Sequence, residues 1–140
     1  MTHKQLIKLA LSARERAYVP FSNFKVGAAL LSKDGTVYTG CNVESAAYSP
    51  TCCAERTALV KGVSEGAQEK DFITIAVVGG HNDARTLDYC YPCGVCRQML
   101  YELGDDDLEI IVAKTEDDYK VHTITELLPH GFGRKDLDKK

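Results

Sequence analysis

The 140-residue chain has no long apolar run. No uncharged stretch approaches the ~20 residues of a membrane-spanning helix, and Met-Thr-His-Lys-Gln at the start does not open a secretory leader. A dense Lys/Arg stripe is also missing. With 17 basic and 20 acidic residues and a net charge of −3, the chain is poorly suited to hold a polyanion. Nor is there a repeat, a low-complexity tract or a linker. The composition, 44% hydrophobic and 26% charged, is that of an ordinary globular protein. What remains is one soluble domain over residues 1–140, long enough to bury roughly 70% of its unfolded surface. Six cysteines with no export signal point to a reducing cytoplasm, where clustered thiols bind metal or do redox chemistry more often than they form staples.

Thr2 with Gln5 forms a capping-box signature. Leu6, Ile7, Leu9, Ala10, Ala13 and Ala17 then recur at helical spacing up to about Tyr18, before Pro20. Lys25–Leu31 and Thr36–Val43 read as strands joined by an Asp34-Gly35 turn. The small residues Gly27, Ala28 and Ala29 allow a close approach to the first of them. A helix from Thr51 or Cys52 to Val63 follows. Phe72–Val78 is an almost continuous apolar run, expected of a strand covered on both faces. After a long polar loop come a helix over Pro92–Leu103, a buried strand over Leu108–Ala113, an antiparallel edge strand over Tyr119–Thr123 and a helical turn over Thr125–Leu128. The tail from His130 is polar. This order predicts an α/β fold, a three-layer α-β-α sandwich around a mixed five-stranded sheet with an antiparallel last strand. Two helix starts that follow strands carry thiols, and such starts gather at one edge of the sheet, where ligands bind.

Cys93 and Cys96, three apart in a first helical turn, can aim both sulfurs at one point. The helix N-terminus favours their thiolates. Taken alone, such a pair suits a metal, a redox dithiol or neither. A third thiol at the other helix start moves the balance toward zinc, since three protein ligands and an open position make a catalytic site. Bare helical geometry leans toward Cys52 as that third ligand, because Cys52 and Glu55 share a face whereas Cys53 and Glu55 lie about 200° apart.

Cys53-Ala54-Glu55-Arg56-Thr57-Ala58, with Pro92-Cys93-Gly94-Val95-Cys96-Arg97-Gln98, resembles the small zinc-dependent cytidine deaminases. So do Tyr18 to Ala29 and Gly40-Cys41-Asn42-Val43-Glu44. The likeness runs through Leu127-Leu128-Pro129, nearly the whole chain, and the motifs match a general zinc-deaminase signature. It implies one Zn²⁺ per chain on Cys53, Cys93 and Cys96, with Cys52 a bystander. Glu55 is then the proton shuttle, and Arg56 and Gln98 support the ligands from behind. Three thiolates on one Zn²⁺ leave a net negative charge, which Arg56 and the helix N-termini offset. The resemblance further implies that Asn42 and Glu44 hold the ribose, that Phe24 stacks on the base and that the Ala54 backbone reads the pyrimidine edge. A homotetramer would complete each site with Phe132 and Tyr48 from neighbouring chains.

The implied activity is hydrolysis of cytidine and 2′-deoxycytidine to uridine and 2′-deoxyuridine with release of ammonia. No nucleic acid or membrane partner is expected, and without a Gly-rich phosphate loop or an Arg/Lys cluster near the motifs a nucleotide is disfavoured. Other readings are a deaminase of a different aminopyrimidine, or a non-catalytic zinc or dithiol module in which Glu55 is coincidental. Thr51-Cys52 and Asp88 to Tyr91 depart from the family pattern, and the loop before Pro92 is longer. Cys90 there could compete for metal or oxidise. The four histidines fit no ligand slot.

Overall fold

The computed structural model describes residues 1–139. Helix α1 (His3–Arg14) starts on the expected capping box: the Thr2 hydroxyl accepts from the Gln5 N–H, and the Gln5 side chain accepts from the Thr2 N–H. It ends before Tyr18. Glu15, Arg16 and Ala17 close tighter, 3₁₀-like turns onto Ser12, Ala13 and Arg14. Tyr18 is drawn into extended pairing, donating to Asn42 O and accepting from Glu44 N.

The sheet comprises β1 (Phe24–Ser32), β2 (Val37–Cys41), β3 (Phe72–His81), β4 (Gly104–Thr115) and β5 (Asp118–Thr123), in the order β2-β1-β3-β4-β5. Only β3 and β4 run parallel; β1–β2, β1–β3 and β4–β5 are antiparallel. On one face α1 packs Leu6, Ile7 and Ala10 against Ala29, Ala76, Val78, Ile111 and Ala113. The other face carries α2 (Ala54–Ser64), α3 (Gly94–Leu103) and α4 (Ile124–Leu127), with Ala58, Leu59, Leu100 and Ile124 against Leu30, Ile75, Val77, Ile110 and Val112. The expected three-layer arrangement is present. Strand β3 sits centrally and is buried on both sides, as its unbroken apolar run requires.

Two close approaches set the helices. A Cβ on Gly27 would stand 2.1 Å from Ala10 O, so α1 presses directly on β1. One on Gly40 would stand 2.5 Å from Ala54 O, so the first turn of α2 lies on β2. Several boundaries differ from the sequence reading. Strand β2 stops at Cys41: the Asn42 N–H still donates to Val26 O, but Val26 N–H goes to the Asn42 side chain because Asn42 O accepts from Tyr18, while Val43 exchanges hydrogen bonds with Cys52. That pairing holds Cys52 in extended backbone, and α2 begins only at Ala54. Helix α3 begins at Gly94 rather than Pro92. Strand β4 starts at Gly104, directly off α3, where Gly104 pairs with Phe72. A short α5 (Arg134–Leu137) lies in the tail read as merely polar. Among the described residues no helix is long and apolar enough to cross a membrane.

Candidate active site

Helices α2 and α3 open alike. Cys53 and Cys93 are the N-cap residues, both in extended backbone, and neither side chain caps its own helix. Their sulfurs are therefore free to project toward the N–H groups and partial positive charge of the two helix starts. Cys96, in the first turn of α3, is buried. The sulfurs of Cys53, Cys93 and Cys96 all lie within 4.8 Å of one another, and Cys53 and Cys93 are 3.7 Å apart. Thiolates at ~2.3 Å from a tetrahedral zinc stand about 3.8 Å apart, so the set fits zinc in donor type, number and spacing. Among the described residues no further His, Cys, Asp or Glu joins the group. Cys52 is outside the group. Because α2 starts after it, its helical relation to Glu55 lapses; its sulfur instead accepts from the Thr57 hydroxyl at 3.5 Å.

Arg56 reaches back over the first turn of α2, with Nη2 donating to Thr51 O at 3.0 Å and to Cys53 Sγ at 3.8 Å. Its Nε is buried with no acceptor among the described residues. Hydrogen bonds from Cys96, Arg56 and Cys93 hold the Cys53 thiol down at about 5 despite desolvation. The hydrogen bond to Cys53, burial and neighbouring negative charge keep Cys96 protonated well above the ordinary thiol range. Glu55 is 4% exposed. Burial pushes its carboxyl up to about 7; the Cys53 charge adds to this and Arg56 opposes it. Cys90 packs against Gly79, its thiol pushed up to about 11 by burial. It is outside the three-sulfur group, and all six cysteines are free.

Asn42 and Glu44, which follow β2, both bond the backbone of residues 21–26, the run that carries Phe24. Asn42 accepts from Val26 N at 2.9 Å and donates to Phe24 O at 2.9 Å. Glu44 accepts from the Phe21 and Ser22 N–H groups, each at 3.1 Å, and from the Ser22 hydroxyl. The Ser22 hydroxyl is the main reason that the Glu44 carboxyl sits below the usual range. The Phe24 ring meets His81 edge-on at 5.3 Å. Ala54 is fully buried at the start of α2. Gln98 does not bond the thiols: it donates to Phe132 O at 2.8 Å and to Glu102 at 3.2 Å. Phe132 and Tyr48 are 60% and 83% exposed, with Tyr48 in the left-handed region at φ 63°.

Two residues to which the sequence assigns no role organise this region. Arg97 donates to Pro92 O at 2.7 Å and Leu127 O at 2.8 Å, tying the segment before Cys93 to the end of α4. Ser22 closes the Glu44 contact. Arg97 stands four residues after Cys93, a spacing that brings it back beside the helix start; nothing local in the sequence marks Ser22.

The family described as the cytidine and deoxycytidylate deaminase zinc-binding region matches residues 1–112. The chain belongs to this family. It is 47% identical over 138 residues to a cytidine deaminase of Halalkalibacterium halodurans, covering 99% of each chain. It is similar to the crystal structure of a cytidine deaminase from Burkholderia pseudomallei, with a TM-score of 0.86 and 47% identity over 94% of this chain and all of that one. For the cytidine deaminase of Mycobacterium tuberculosis the TM-score is 0.78 at 38% identity, over 95% of this chain and 98% of the other. The thiols Cys53, Cys93 and Cys96 are the family's zinc-binding triad in this chain.

Proposed function

We propose that the protein hydrolyses cytidine and 2′-deoxycytidine to uridine and 2′-deoxyuridine, releasing ammonia. One observation carries this reading: a buried carboxyl, Glu55, lies two residues beyond a thiol that converges with two others on one point. Zinc held by Cys53, Cys93 and Cys96 supplies the Lewis acidity that makes a water nucleophilic near neutral pH. Glu55 takes a proton from the attacking water and gives it to ring N3. It then carries the second proton to the C4 amine, which leaves as ammonia as the C4–N bond breaks. A positioned acid/base group of this kind contributes roughly 10²–10⁴-fold. Arg56, donating to Cys53 Sγ, offsets the excess negative charge of three thiolates.

Asn42 and Glu44 hold the sugar hydroxyls. After their backbone contacts Asn42 keeps one amide hydrogen, and the Glu44 carboxylate keeps acceptor capacity. Phe24 stacks on the base, and the backbone of Ala54 reads the pyrimidine edge. Gln98 fixes the segment carrying Phe132 through its carbonyl. Phe132 and Tyr48, both apolar and exposed, enter the sites of neighbouring copies in a homotetramer.

The test is to incubate zinc-loaded protein with each nucleoside and follow the deaminated nucleoside and ammonia in equal amounts. Zinc near one per chain with no product from either nucleoside overturns the reading. Sedimentation gives the assembly, and a monomer of full activity removes the tetramer from it.

A further inference from the structure

The two arms of the thiol site are held differently, and one has a support that the chemistry above does not use. Residues 89–93, leading into Cys93, form neither helix nor strand. Pro92 offers no N–H, Cys93 is exposed, and its side chain does not cap α3. The position of this ligand therefore depends on what grips the residues before it. Arg97 grips the Pro92 carbonyl. Tyr89, farther back, is held by its hydroxyl donating to Asp118 at 2.6 Å. The grip nearest Pro92 on that side is on Tyr91, whose hydroxyl lies 3.1 Å from Nε2 of His122, with ring centroids 5.4 Å apart.

His122 is on a stiff element, strand β5, opposite Ile110 of β4. Its Nδ1 is 3.5 Å from the Glu126 carboxylate. Glu126 is itself fixed, because its other oxygen accepts from the N–H and hydroxyl of Thr123 in the α4 capping box. With the Nδ1 proton turned to Glu126, Nε2 is left to accept from the Tyr91 hydroxyl. The contacts run from a helix cap through Glu126 and His122 to the residue beside Pro92.

We propose that Tyr91 and His122 are positioning residues for the Cys93 thiolate, with Glu126 orienting the imidazole. The inference rests on zinc being bound by Cys53, Cys93 and Cys96. Their task is to keep the Cys93 sulfur within the few tenths of an ångström over which a metal site tolerates displacement.

The test measures how fast zinc leaves the holoprotein for a chromophoric chelator. Tyr91→Phe keeps the ring and removes the one hydroxyl. It should speed release about tenfold, the low end of the range for groups that orient metal ligands. His122→Ala should do the same, and the double variant should release zinc no faster than the faster single one, because both act through one chain. His122→Gln, whose amide can still accept near the place of Nε2, should recover most of the loss. The melting temperature of metal-free Tyr91→Phe should match that of the parent. Parental release from Tyr91→Phe overturns the proposal, as does a faster release matched by an equal loss of metal-free stability, which marks a merely structural contact. Full zinc retention by Cys93→Ser would instead overturn the ligand assignment beneath it.

Discussion

The starts of α2 and α3 present the same device, an N-cap cysteine in extended backbone whose thiol does not cap its helix, and differ in what fixes them. The α2 start is built into the sheet. Its first turn lies on Gly40, Cys52 exchanges two backbone hydrogen bonds with Val43, and Arg56 ties its own turn back to Thr51. The α3 start emerges from an irregular segment and is held by side-chain contacts, among them those of Arg97, the Tyr91–His122 pair and the Tyr89–Asp118 hydrogen bond. Backbone fixes the arm with the buried acid, and side chains fix the arm with the exposed thiol.

The largest effects belong to the α2 arm. Cys53→Ser should lose zinc and turnover together, whereas Cys52→Ser, whose sulfur answers only Thr57, should keep both. Metal analysis of the pair decides it, and zinc lost from the Cys52 variant alone would reverse the assignment. Glu55→Gln should retain zinc and fold while turnover falls by at least 10²–10⁴-fold. Near-parental turnover in that variant would end the proton-shuttle role.

A smaller effect follows from the burial of Glu55. Its folded-state value is raised from 4.5 to about 7, so the folded chain keeps a proton that the unfolded chain has released. Stability from this group is complete below about 4.5 and is lost as pH rises through 7. Cys53, depressed to about 5, acts in the opposite sense: its contribution is present above 9 and lost as pH falls through 5. Cys96 and Arg56 also face the carboxyl. All three are shared by the Gln variant, so the difference between the two metal-free chains isolates Glu55. Urea unfolding should show wild type losing up to about 3 kcal/mol relative to Glu55→Gln between pH 4.5 and 8. A difference that does not change with pH would mean that the carboxyl ionises freely in the folded chain.

Much of this was legible in the residues. The capping box at Thr2, the apolar run of β3 and the Asp34-Gly35 turn each carry a local signal strong enough to place an element. The choice between Cys52 and Cys53 was not of that kind. Helical periodicity favoured Cys52 only if the helix included it, and the helix does not, because a non-local pairing with Val43 holds Cys52 extended. Strand β2 ends early for a related reason: the Asn42 carbonyl turns to Tyr18, and its side chain replaces it as the acceptor for Val26 N–H. Arg97 and Ser22 stand inside the recognised motifs and His122 fits no ligand slot, but their contacts are not legible, because their partners are carbonyls, amides or a phenol that no local pattern marks. Local patterns locate elements; contacts made across the fold locate the groups that hold a site still.

The smallest predicted effects separate the two arms most directly, because each has a glycine near its start. At Gly40 a methyl group would lie 2.5 Å from Ala54 O and 2.6 Å from Ala58 N, both backbone atoms of α2 that cannot yield without shifting the helix. Gly40→Ala should therefore cost about 1–3 kcal/mol, the usual range for overpacking. It should also lower turnover, since the displaced turn carries Ala54 and Glu55. Gly94 opens α3, and a Cβ there meets nothing within 4 Å. Gly94→Ala should stay within about 0.5 kcal/mol of the parent, as surface substitutions do, or gain slightly from helix propensity. If both variants proved neutral in urea unfolding and in turnover, α2 would be able to slide on β2, and the contrast between a backbone-fixed arm and a side-chain-fixed arm would fail.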